Sequence, residues 1–99
     1  MKKRNYNLKS KILVYPGMGA WRFLILDKII SAEIKENFGK NVRGWGSLRV
    51  EVTIGKTIWN TSIFPDKKSG TYLLPLKAKV RKAEEIFDDD TVSFSFKLI

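Results

Sequence analysis

Residues 45–64 constrain the chain more than any other stretch. Leu48, Val50, Val52 and Ile54 alternate with Ser47, Arg49, Glu51 and Thr53. An apolar residue at every second position marks a strand with one buried face. Gly55-Lys56 follows, a Gly-X pair suited to a type II′ hairpin turn. A two-residue loop sets the register of the return strand, Thr57 to Phe64. Ile54 falls opposite Thr57, Val52 opposite Trp59, Val50 opposite Thr61 and Leu48 opposite Ile63. Opposed residues share a face. Trp59 is therefore expected in the core beside Val52, and Arg49, Glu51, Asn60 and Ser62 on the polar side.

The remaining elements follow from weaker signals. Residues 7–15 read as a strand, with Ile12, Leu13, Val14 and Tyr15 at its end. Pro16-Gly17-Met18-Gly19 is a turn. Residues 20–26 read as a second strand, with Trp21, Phe23 and Ile25 on one face and Ala20, Arg22, Leu24 and Leu26 on the other. Trp21 is expected in the core. Asp27 suits a helix N-cap, Ile30, Ile34 and Phe38 recur along one helix face, and Gly39 suits the C′ position that ends it.

Pro65 to Gly70 reads as a loop. Thr71 to Leu74 makes a short strand closed by Pro75. Leu76, Val80, Ala83 and Phe87 fall in one stripe of a second helix. Asp88-Asp89-Asp90 turns the chain into a last strand, with Val92, Phe94, Phe96 and Leu98 inward.

Six short strands and two helices that do not alternate as βαβ units point to a mainly β fold. A small closed six-stranded β-barrel with two short helices leaves no exposed sheet edge. The 99 residues suit one domain, expected over 7–99, behind a flexible basic tail over 1–6. The chain has no Cys and no His, which removes disulfides, thiolate chemistry, the commonest general base and the commonest metal ligand. It fits a cytoplasmic setting. Nothing reads as a targeting or membrane segment.

Several motifs recur in order: Trp59-Asn-Thr-Ser-Ile-Phe-Pro65, Gly70-Thr-Tyr-Leu-Leu-Pro-Leu-Lys77, Val80-Arg-Lys-Ala83, Asp89-Asp90-Thr-Val92 and the early Trp21-Arg-Phe. Together they resemble the bacterial and archaeal family of the domain of unknown function 1905, over about residues 8–98. The resemblance implies a small closed β-barrel, found alone or joined to a second small domain. It supplies no catalytic residue. This chain departs from the family in having Asp89-Asp90 where Gly-Asp is common, and in lacking Pro where the first helix begins.

Candidate chemistry is sparse. Asp88-Asp89-Asp90 offers oxygen ligands for Mg²⁺ or Ca²⁺, but no Asp-x-Asp-x-Asp-Gly pattern is present, and a solvated turn is the expectation. Glu84 and Glu85 follow Arg81 by three and four residues, as helix-surface ion pairs do. Gly44-Trp45-Gly46 is not a phosphate loop. Trp45, at a strand entrance, is the Trp expected to be exposed for stacking. No catalytic residue, metal site or cofactor is assigned.

The net charge of +9 suits an anionic partner. Residues 65–82 hold Lys67, Lys68, Lys77, Lys79, Arg81 and Lys82 against a single acid, Asp66. Lys77 and Arg81 share a helix face, in the N-terminal half where the dipole disfavours cations. Lys67 and Lys68 are expected to assist from the preceding loop.

The leading reading is a non-enzymatic binding module whose basic face takes an anionic ligand or nucleic acid. The alternative is a protein-interaction or oligomerising domain without a dedicated ligand. A small enzyme using Lys, Tyr or carboxylates ranks third. Salt-dependent polyanion binding marks the first and a stable oligomer the second. A pocket holding a Lys or carboxylate of perturbed pKa marks the third. Oligomeric state stays open.

Overall fold

Alternation and turn chemistry organise residues 5–15, 21–39 and 46–99, those described by a computed structural model, into six strands and two helices. In chain order they are β1 (Asn5–Tyr15), β2 (Trp21–Ile25), α1 (Lys28–Phe38), β3 (Leu48–Ile54), β4 (Thr57–Asp66), β5 (Thr71–Pro75), α2 (Ala78–Ala83) and β6 (Thr91–Leu98). The strands close into a barrel in the order β1-β2-β5-β4-β3-β6, every neighbouring pair antiparallel.

The β3–β4 hairpin has the expected register, from Ile54↔Thr57 to Leu48↔Ile63. Gly55 sits at φ +56 and Lys56 is not left-handed, the combination of a II′ turn. A second constraint acts on Gly55, since a Cβ there would collide with the Glu84 carboxylate.

Closure depends on two long strands that each serve two partners. β1 pairs with β6 from Asn5 to Lys11 and with β2 from Ile12 to Tyr15. β4 pairs with β3 from Thr57 to Ile63 and with β5 from Phe64 to Asp66. Where β1 changes partner, the Ile25 amide donates to Ser10 Oγ at 3.2 Å. The interior holds Tyr6, Ile12, Leu24, Val50, Val52, Ile63, Leu74, Phe94 and Phe96, all buried. Tyr6 stacks on its register partner Phe96 with ring centroids 5.3 Å apart.

The helices close the two ends. At one end Asp27 Oδ1 accepts from the Ile30 amide at 2.7 Å and starts α1, which sends Ile34 into the core. Buried Ser31 ties this helix to the barrel, donating to the Leu26 carbonyl at 3.1 Å and accepting from the Tyr72 amide at 3.0 Å. At the other end α2 buries Val80, and Glu84 beyond it accepts from the Thr57 hydroxyl at 2.6 Å. No helix among the described residues is long and apolar enough to cross a membrane.

The structure corrects the sequence reading at six places. Asn5 and Tyr6 belong to β1, and Tyr6 is core rather than tail, because its ring stacks inside while its hydroxyl reaches Glu33; residues 1–4 of the expected tail lie outside the described residues. β4 runs through Pro65 to Asp66 before the turn, since Phe64 to Asp66 pair with β5. Trp21 is 54% exposed, because odd-numbered residues of β2 point out of the barrel. Trp59 faces inward as expected but is only half-buried, at a gap in the wall.

The second helix stops at Ala83, with Glu85 at φ +53 and the Ile86 amide bonded back to the Arg81 carbonyl at 2.8 Å. That Schellman closure turns the chain before Phe87, which is 70% exposed. Gly39, by contrast, is a right-handed C-cap at φ −84, not a left-handed C′ residue. A Cβ there would lie 2.6 Å from the Lys35 carbonyl oxygen, which accounts for the glycine. The turn at 16–19, Ala20 and Trp45 lie outside the described residues.

Tyr6→Ala should therefore cost about 3–5 kcal/mol, the range for emptying a large aromatic core site. Ile58→Ala, on a residue 63% exposed, should change stability by less than about 0.5 kcal/mol. Urea midpoints of the two variants check the contrast.

Candidate functional site

The barrel wall opens between β4 and β5. These strands share only three rows, Phe64↔Leu73, Pro65↔Tyr72 and Asp66↔Thr71. The reason lies in Pro75. Along β5 the Tyr72 carbonyl and the Leu76 amide point at β2, bonded to Leu26 and Arg22 at 3.0 and 2.9 Å. Backbone groups of alternate residues point to opposite neighbours, so residues 73 and 75 face β4. Pro75 has no N–H to give there, and the ladder stops.

A cavity of about 300 Å³ fills the gap. Trp59, Asn60 and Thr61 of β4 line one side, with Pro75, Leu76, Lys77 and Ala78 along the β5–α2 junction. Trp21, Arg22 and Arg81 complete the lining. Among the described residues the lining carries three cations and no carboxylate.

Each cation is set differently. Lys77 is the N-cap residue of α2, exposed and without a side-chain capping bond. Arg81 is half-buried, and its Nε donates to the Leu76 carbonyl at 3.1 Å. This bond orients the guanidinium and leaves its terminal amino groups without a protein partner among the described residues. Arg22 points to the barrel interior side of β2 and forms a two-pronged pair with Asp88, Nε to Oδ1 at 3.0 Å and Nη2 to Oδ2 at 2.9 Å. The pair raises the Arg22 pKa through the hydrogen bond with Asp88, and lowers the Asp88 pKa through the same bond.

The basic cluster seen in the sequence is divided by the fold. Lys77 and Arg81 meet at the cleft, and Arg81 lies in the last turn of the six-residue α2, where the dipole favours a cation rather than opposing it. Lys79 and Lys82 are exposed on α2 and do not line the cavity. Lys67 and Lys68 lie in the β4–β5 turn, at the opposite end of β5. That separation is about 15 Å for five strand residues.

The acidic run has structural work at each position. Asp88 holds Arg22, Asp89 takes φ +73, and Asp90 Oδ2 accepts from the Phe87 amide at 2.8 Å. Among the described residues, no three acidic side chains gather as a metal site. Glu84 reaches Thr57 and not Arg81. Trp21, Arg22, Trp59, Asn60 and Thr61 were not legible as site residues. Only Pro75 in an otherwise apolar strand signalled an interrupted ladder.

The family profile for the domain of unknown function 1905 matches residues 9–96, nearly the whole barrel. The chain belongs to this family. Within the matched region Asp89 takes the left-handed conformation at φ +73, which Asp adopts more readily than most residues with a Cβ. A search of the curated proteins finds no match.

Because the Asp88 pKa is depressed in the fold, its contribution to stability is present above the unfolded carboxyl value near about 3.9. It is lost as pH falls through the lower folded value. The effect is small, since the Asp88 side chain is about half exposed. Asp88→Asn should flatten the loss of stability below about pH 4, and urea unfolding as a function of pH measures this.

Proposed function

We propose that this DUF1905 domain is a non-enzymatic binding module, and that its cleft takes a small ligand joining an anionic group to a flat apolar body. The observation that carries the reading is the lining itself: Arg22, Lys77 and Arg81 around Trp21 and Trp59, with no carboxylate. A guanidinium grips phosphate or carboxylate through two parallel hydrogen bonds, whereas Lys acts as a point charge. Arg81 is already held by Leu76, so less side-chain freedom is lost on binding. The two indoles supply apolar surface for the body of the ligand.

Binding suits this lining better than catalysis. Among the described lining residues Thr61 carries the one hydroxyl, and no carboxylate lines the cavity with it to take a proton. The volume of about 300 Å³ lies at the small end for ligand cavities. A cysteine-free chain also accords with a reducing compartment such as the cytoplasm.

Phenyl phosphate tests the reading, with Trp fluorescence as the signal. Saturable quenching that weakens with salt is expected. Inorganic phosphate and phenol should each bind more weakly, since each satisfies one half of the site. Arg81→Ala should lower affinity by about tenfold or more, the value of a charge-assisted hydrogen bond. Quenching that does not saturate, or an unchanged affinity in Arg81→Ala, would show that the cleft is not the site.

A further inference from the structure

The outside of the barrel has two unlike halves. On β3, β6 and the N-terminal half of β1, outward positions are polar or charged: Lys9, Lys11, Arg49, Glu51, Ser93 and Lys97. On the C-terminal half of β1, on β2, on β5 and at the end of β4, they are largely aromatic or aliphatic, with Asp66 the charged exception at the last position of β4. Register places Tyr15 beside Trp21, Phe23 beside Pro75, and Ile25 beside Leu73, which in turn pairs with Phe64. Trp21 is 54% and Phe64 40% exposed. Trp21 lies parallel to Phe23 at 5.9 Å, and Tyr15 meets Phe23 edge-on at 5.2 Å. Phe23 thus holds two neighbouring rings in place, while Leu73 at the middle of the face is buried.

Lysines border this face on three sides. Lys11 lies next outward along β1, in the row of Ile25. Lys67 and Lys68 lie in the turn beyond Phe64, and Lys77 follows Pro75. All four are exposed, and among the described residues none has an acidic partner within ion-pair distance. The acids closest in sequence to the face are engaged elsewhere. Asp27 caps α1, Asp66 accepts from Ser69 and the Lys68 amide, and Asp88 holds Arg22.

From this face we infer a second binding surface, one for single-stranded nucleic acid, with bases stacked on Trp21 and Phe64 and phosphates along the lysine border. Charge selects this occupant. Two copies of the chain packed face to face would set these lysines against each other, whereas a polyanion neutralises them. The rings select a single strand, because a duplex hides its base faces while an unpaired base offers a π-face to an exposed aromatic side chain. Size agrees: from Trp21 to Phe64 is about 16 Å across two strand spacings and four residues. That leaves room for about four bases stacked at about 3.4 Å. The surface shares Trp21, Pro75 and Lys77 with the anion cleft and is otherwise separate from it.

The test is fluorescence anisotropy with a labelled mixed-sequence single-stranded 12-mer and its duplex, over a range of salt. The single strand should bind more tightly than the duplex, with little sequence preference. Phe64→Ala should weaken it about 5-fold or more, the lower end for one lost base stack. Lys67→Glu with Lys68→Glu should make the log–log salt slope less negative by about one unit or more. Both variants lie away from the cleft, so phenyl phosphate quenching should persist in them. Failure of the cleft alone leaves single-strand binding intact, and the converse pattern leaves phenyl phosphate binding intact. Equal or tighter binding of the duplex, unchanged affinity in Phe64→Ala, or a dimer in sedimentation that Phe64→Ala dissolves would each overturn the inference.

Discussion

Two strands hold the barrel shut because each changes partner along its length. β1 passes from β6 to β2 at Ser10–Ile12, and β4 passes from β3 to β5 at Ile63–Phe64. A flat six-stranded sheet would leave two open edges. Here the long strands bend over both halves and close the sheet on itself, save for the gap where β4 and β5 share only three rows. Everything else uses that frame. The interior is filled from all sides, the helices close the two ends, and the outer surface divides into a polar half and an apolar half along the same corners.

The features legible in the sequence are those controlled by neighbours in the chain. Alternation from Leu48 to Ile54 and from Val92 to Leu98 sets which side chains face inward, and Gly55-Lys56 sets the hairpin register. Asp27 announces the first helix through a bond to a residue three positions on. Features set by distant partners were not legible. Tyr6 looks like part of a basic tail until its stacking on Phe96 is seen. The end of α2 bears no glycine signal, since Glu85 takes the left-handed position itself. Trp21 and Trp59 are alike as letters. Only the parity of their strands, and the gap beside Trp59, puts one on the surface and the other half inside.

The candidate site shows the same division. Lys77 and Arg81 came together as four-residue spacing on a short element suggests, and Lys67 and Lys68 were separated from them by the length of β5. Arg22 could not be placed from sequence, because it joins the cleft only through barrel closure. Its charge is largely answered by Asp88, which leaves Lys77 and Arg81 as the cations facing the cavity with least internal compensation.

The cavity lies where a hydrogen is missing from the ladder, at Pro75. Any other residue at position 75 would bring an amide aimed at β4, in competition with whatever occupies the space. Solvent or ligand in the gap and backbone pairing across it are thus rival uses of the same strip of wall. A donor at residue 75 would therefore turn the same strip of wall from a passage into a seam.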